Sequence, residues 1–364
     1  MVRLRFASFP IPFRTRFEHA AATREVAENV IVVAEDEDGH AGLGEGCPRE
    51  YVTGETEPSA LAALARWKAG GIGALEGRAA LEAWAAEHAA DIDANPSAFA
   101  AVELALLDVF ARRQHVSLER FLDVDEGRAS PRVSAVYGAG SNAKFCWQAL
   151  RFNLYGIRDA KLKISGDAVR DRARARALAC VGRVRLDANN LWASAAEACK
   201  GLRELQDHVW AVEEPLAARE FAGLAAVGAR TRLKIVLDES ATRLADLARV
   251  EAGADYILNA RVSKHGGLLR SLAMIRAARA RGFGVIVGAQ VGETSILARA
   301  ALVAARAAGD ALVAFEGAYG VRLLHRDATT VSLGFGFGGH VTTEAIGSVG
   351  SGLTPTDEVQ QGCR

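Results

Sequence analysis

A ladder of charged side chains at nearly constant intervals carries the chemistry legible in this chain of 364 residues. Its rungs are Lys161 and Lys163 in KLK, Asp187 in RLDANN, Glu213 in VEEPL, Asp238 in VLDES and Lys264 in NARVSKHGG. Three carboxylates gathered at one place repel one another unless a cation lies between them. With oxygen donors only, and neither Cys nor His among them, that cation is a hard divalent ion, Mg²⁺ or Mn²⁺ rather than Zn²⁺. Lysines on either side of such an ion equip the site to take and return a carbon-bound proton. Burial and neighbouring positive charge are expected to lower a lysine pKa toward neutrality, which makes the amine a usable base.

The spacing also says which elements must hold these groups. Successive rungs lie roughly 25 residues apart, close to one strand-plus-helix unit of a parallel barrel. Strands are read at 133–137, 160–164, 183–186, 209–212, 234–237, 256–258, 284–287 and 312–315, with alanine-rich helical segments between them. On the second of these, side chains alternate, so Lys161 and Lys163 point together into the barrel. Eight such strands predict a closed barrel with its catalytic groups at the C-terminal mouth. Residues 1–125 read instead as an α+β unit, with hairpin-like stretches at 3–9 and 29–34 and helices at 58–68, 74–88 and 96–113. Asn95 is the expected N-cap of the last helix and Pro96 its first residue. After Glu316 the pattern returns to short strands and Gly-rich turns that rejoin the first unit.

Bulk composition narrows the class. Forty-four basic residues balance forty-four acidic ones, so no overall field draws nucleic acid or a membrane surface. No apolar run reaches the roughly 20 residues of a membrane span, and the opening residues do not read as a signal peptide. The five cysteines are scattered without CxxC spacing, and a reduced, cytoplasmic protein is expected. A homo-oligomer is the default assembly. A Schiff-base aldolase would also use barrel lysines, but it leaves the three acids idle. The glycine runs at 138–140 and 334–339 open no dinucleotide-binding helix.

Taken together, KLK, DAN, EEP, DES and SKHGG, with Gly-Glu-Thr near the seventh strand, resemble the enolase superfamily and its muconate-lactonising subgroup. GLGEGCPREYVTGET and AAVELALLDVFARR resemble segments of the capping domain of dipeptide epimerases. The resemblance, which extends to N-acylamino acid racemases, implies an α/β fold: a modified (β/α)₇β TIM-type barrel over 126–316. An α+β capping domain would form from residues 1–125 and the tail 317–364. It implies Asp187, Glu213 and Asp238 as Mg²⁺ ligands with Glu214 and Glu239 behind them. Lys163 and Lys264 would be the bases, Lys161 their support, and Asn189 an orienting group.

The activity implied is removal of a proton α to a carboxylate, giving an enediolate, from a small-molecule carboxylate. Two opposed lysines favour racemisation or epimerisation of an N-acyl amino acid or dipeptide. The alternative is a muconate-type cycloisomerase or an o-succinylbenzoate synthase-like dehydratase using the same site. Expected substrate contacts are Asn189, Glu293 in VGAQVGETS, and Glu316, the one acid where such epimerases hold a substrate ammonium. A lid over 12–22 and 48–54 would bring Phe17, His19 and Tyr51 near the substrate. His265 reads as a loop residue.

Overall fold

Short β-branched runs bounded by turns and separated by alanine-rich helices can bury both faces only as parallel strands wrapped by helices. The computed structural model, which describes residues 1–19, 22–127, 130–341, 343 and 346–363 and no side chain between 16 and 23, has this architecture. Its second sheet contains β4 (Ala135–Tyr137), β5 (Asp159–Lys163), β6 (Arg183–Asp187), β7 (Ala211–Glu213), β8 (Lys234–Leu237), β9 (Tyr256–Ala260), β10 (Gly284–Val287) and β11 (Leu312–Phe315). These eight are parallel and ordered as in sequence, and a bridge between Val133 and Phe315 joins the last to the segment leading into the first. Helices follow each of the first seven, among them Asn142–Leu154, Leu268–Ala280 and Ser295–Ala308. The fold is therefore a (β/α)₇β barrel, with every strand within two residues of its sequence-based position.

Strand alternation sorts the residues. Leu162, Leu186, Val212, Ile235, Leu258 and Val285 join the large core shared with the helices. Ala211, Val236, Ile257, Ile286 and Ala314 form a separate small cluster that fills the barrel interior. Above that plug the inward positions turn polar.

The first sheet is antiparallel: β1 (Arg3–His19), β2 (Ala22–Glu35) and β3 (Ala41–Gly46), in that order. The segment expected as a loop-like lid from residue 12 is mostly hairpin, with Phe17 paired to Arg24 and His19 to Ala22. Pro10 and Pro12 are tolerated because β1 is an edge strand. On β3, Gly42, Gly44 and Gly46 face the helix Pro96–Arg113 so closely that an added Cβ would lie 2.2, 1.8 and 2.2 Å from the carbonyl oxygens of Ala105, Ala101 and Ser97. Alternate strand positions thereby match every fourth helix position, and the strand lies directly on helix backbone.

Two helix expectations change. The stretch 74–88 is interrupted at Gly77 (φ 84°), so the helix begins at Arg78. Asn95 does not cap the helix Pro96–Arg113. Its amide donates backwards to the Asp91 carbonyl (2.9 Å), and Glu55 accepts the free N–H groups of Ser97 and Ala98 at 2.8 and 3.0 Å. The tail beyond Phe315 packs on the first sheet. Leu324, Ala328, Leu353, Val359 and Cys363 share one apolar cluster with Phe9, Ile11, Ile31, Val33 and Leu43. All five cysteines are free thiols.

Candidate active site

Strand register converts the sequence period into contact. Lys163 is the register partner of Asp187, and Asp187 that of Glu213. Asp238 follows β8, and Lys264 lies four residues beyond β9. β5 and β9 stand four places apart in a ring of eight, so Lys163 and Lys264 rise from opposite sides of the mouth. A cavity of about 550 Å³ opens there, lined by Lys163, Asp187, Asp238, Glu239 and Arg261 and reached by Tyr51 of the N-terminal unit.

The charges interlock. Lys161 Nζ lies 2.8 Å from Glu213 Oε1, 3.4 Å from Asp187 Oδ2 and 3.4 Å from Glu316 Oε1. Burial works against its charge, but Glu213, Glu316 and Asp187 together outweigh that, and its pKa rises. The expected lowering thus fails for Lys161, because three carboxylates surround it. Lys163, 3.5 Å from Asp187 Oδ2, behaves as expected: burial pulls its pKa down, Asp187 resists and Lys161 adds to the fall. Lys264 donates to Asp238 Oδ1 (2.6 Å) and to the carbonyls of Asp238 (2.8 Å) and Asn259 (3.0 Å). Burial, helped by the Arg261 charge, brings it to about 7.

Glu214, in the left-handed region at φ 38°, accepts from Asp238 N (2.6 Å), Ser240 N (2.8 Å) and Ser240 Oγ (2.7 Å) and so shapes the turn carrying Asp238. Glu239 lines the cavity, and burial followed by the charge of Glu214 raises its carboxyl to about 7. Asn189 donates to Asp187 Oδ1. Glu293 lines the cavity, accepts from Gln290 N (2.7 Å) and is pushed up to about 8 by burial. His265 is buried, with Nε2 3.3 Å from the Ala241 carbonyl, and burial drives its pKa well down, so it sits as a neutral packing residue. Phe17 and His19 have side chains outside the described residues.

Glu316 lines the cavity and is already paired. Its carboxylate lies 2.5 Å from Arg185 Nη2 and 3.4 Å from Lys161, and these cations hold its pKa at about 2 against burial. Its charge is already matched from within the protein. Arg185, Arg261 and Asn259, whose amide donates to Glu213 Oε1 (3.2 Å), are among the residues around these groups that sequence reasoning missed. Arg185 precedes Asp187 by two on one strand and therefore shares its inward face. Arg261 Nη2 pairs with Asp238 Oδ2 and lies 3.7 Å from Glu213 Oε1.

Asp187, Glu213 and Asp238 suit a hard divalent cation. All their donors are oxygen, Glu213 Oε2 is buried without a hydrogen-bond partner, and Arg261 is drawn between Glu213 and Asp238, marking where positive charge belongs. Among the described residues it is Asp36, Asp38 and His40, rather than these three acids, that bring three ligand-type atoms within 4.8 Å of one another. There Asp36 is spent on Arg113 (2.7 Å) and on the N–H groups of Asp38 (3.0 Å) and His40 (2.8 Å), closing the turn between β2 and β3.

Comparison with known proteins identifies the family. Residues 3–122 match the family model for the mandelate racemase / muconate lactonizing enzyme N-terminal domain, and residues 146–358 match that for enolase C-terminal domain-like proteins. The chain is 31% identical over 300 residues to an aromatic dipeptide epimerase of Herpetosiphon aurantiacus, spanning 79% of this chain and 81% of that one. It is 25% identical over 302 residues to an N-succinyl-L-Arg/Lys racemase of Bacillus cereus, spanning 80% and 79%. A crystal structure of a dipeptide epimerase from Methylococcus capsulatus, complexed with Mg and the dipeptide L-Arg-D-Lys, superposes with a TM-score of 0.82 at 26% identity, covering 97% of this chain and 99% of that one. With both halves of the fold matched by the family models and a relative 31% identical over 79% of the chain, the chain belongs to the mandelate racemase / muconate lactonizing enzyme branch of the enolase superfamily.

Proposed function

We propose that this protein is a Mg²⁺-dependent racemase or epimerase that removes and returns the proton α to a carboxylate of an N-acyl amino acid or dipeptide. The observation that carries the reading is the placement of Lys163 and Lys264 across the mouth from each other, with Asp187, Glu213 and Asp238 on the strand ends between them. An α-proton beside a carboxylate is far too weakly acidic for an amine unless the negative charge that develops is stabilised. A bound Mg²⁺, held by Asp187, Glu213 and Asp238, would supply that stabilisation.

The chain's own groups do the rest. Lys163 takes the proton from one face of the α-carbon and Lys264 returns one to the other. Lys161, locked among Glu213, Glu316 and Asp187, stays protonated and keeps positive charge beside the acids. Tyr51, Phe152 and Leu323 add apolar surface to the walls of the cavity. Because Glu316 is neutralised by Arg185 and Lys161, the site favours an N-acyl amino acid over a dipeptide bearing a free ammonium.

The test is α-proton exchange in ²H₂O followed by NMR, with Mg²⁺ and a panel of N-acyl amino acids and dipeptides. Deuterium uptake by both enantiomers is expected, exchange of one being lost in Lys163→Ala and of the other in Lys264→Ala. Absence of exchange across the panel, with turnover of muconates or cyclohexadiene carboxylates instead, would replace this reading with cycloisomerisation or dehydration.

A further inference from the structure

Lys264 is not held by the barrel alone. It stands in a turn over 261–267 that closes on itself, His265 N donating to Arg261 O and Gly267 N to Val262 O, both at 3.0 Å. The N-terminal unit fastens both ends of this turn. In front, the Cys47 N–H, just past β3, donates to Ser263 Oγ at 3.0 Å. Behind, the Glu103 carboxylate, from the helix Pro96–Arg113, accepts from Leu268 N (2.5 Å) and Leu269 N (3.2 Å), the opening N–H groups of the helix Leu268–Ala280. Cys47, Glu103 and Ser263 have no exposed surface, so water does not compete for these bonds.

The turn is shaped around that carboxylate. A Cβ on Gly267 would lie 2.3 Å from Glu103 Oε2, and Gly267 has a φ of +102° that side chains rarely adopt. Only glycine leaves room for Glu103 to reach the helix end. Lys163 is held differently. It belongs to β5, which is hydrogen-bonded between β4 and β6, so its backbone is set by the barrel ladder itself.

We infer that Glu103 and Ser263 are positioning residues for Lys264, through which the N-terminal unit sets the reach of one base while the barrel sets the other. The inference rests on the two-lysine reading above. A carboxylate across the free N–H groups of a helix start anchors that end. A base displaced by about 1 Å can lose on the order of 10²-fold in rate. Loosening the anchor should therefore disable the bases unequally, which general destabilisation would not do.

The experiment measures deuterium exchange with retention, separately for each enantiomer, in Glu103→Ala, Glu103→Gln and Ser263→Ala alongside the two lysine variants. The enantiomer whose exchange disappears in Lys264→Ala should slow by about tenfold or more in Glu103→Ala and Ser263→Ala, the other staying within about twofold. Glu103→Gln, which keeps one acceptor oxygen, should fall between. Equal loss for both enantiomers, or no loss, overturns the inference. Ser263→Ala decides the matter if Glu103→Ala does not fold. If the lysine variants themselves do not divide by enantiomer, it is the two-base reading that fails. The anchor is then read by amide hydrogen exchange. Faster exchange at 262–269 with 159–163 unchanged supports it, and unchanged protection at 262–269 overturns it.

Discussion

Arg185 has no exposed surface, yet its guanidinium meets Glu316 and Asp159 at 2.5 Å each. Removing one member of a buried ion pair strands the others in a medium that solvates charge poorly, at a cost of about 3–5 kcal/mol. Arg185→Met should therefore lower the unfolding free energy by about that much in urea titrations, and adding Glu316→Gln should restore part of it. The acids proposed to hold Mg²⁺ should give the opposite signature. At a hundredfold excess over its dissociation constant, Mg²⁺ should stabilise the wild type by about 2.7 kcal/mol, visible as a raised Tm, and should do little for Glu213→Gln. Were these acids to hold the ion, Arg261, which bridges Glu213 and Asp238 in this structure, would have to swing aside. The acids and lysines were legible because several charged residues recur in phase with strand ends. Arg185 and Arg261 were not, because an isolated arginine in a strand or loop reads as solvated until register shows which way it points.

Among the elements, the contact of β3 with the helix Pro96–Arg113 leaves the least tolerance. Gly44→Ala would place its methyl carbon 1.8 Å from the Ala101 carbonyl oxygen, and backbone on both sides cannot yield as a side chain would. Destabilisation of about 3 kcal/mol or more is expected, measured by chemical denaturation, whereas Gly39→Ala, with nothing within 4 Å, should lose only what its φ of +84° costs. The alternation in GLGEG was in plain view in the sequence, but its meaning needs the helix that lies across it. Barrel strands were read to within two residues because a buried parallel strand must be a short β-branched run. The cap of the helix Pro96–Arg113 escaped detection for a converse reason. Asn95 is the right residue type in the right place, but Glu55, some forty residues earlier, reaches the N–H groups instead. Local rules do not foresee long-range partners.

Across the whole molecule, the chain leaves its first sheet, builds eight strands, and returns. One apolar cluster is assembled from both ends, with Ile11, Ile31 and Leu43 on one side and Leu353 and Val359 on the other. Arg5 Nη1 donates to the Cys363 carbonyl at 2.9 Å across the same seam. Leu353, 2% exposed, should cost about 2–5 kcal/mol when cut to alanine, and the loss should appear first as faster amide exchange in β1 and β2.

The same seam sets a schedule. On a ribosome adding about 5–20 residues each second, the apolar face carrying Ile11, Ile31 and Leu43 emerges about 15–60 s before Leu353 and Val359 arrive to cover it. Throughout that interval the face lacks the cover that Leu353 and Val359 later give it.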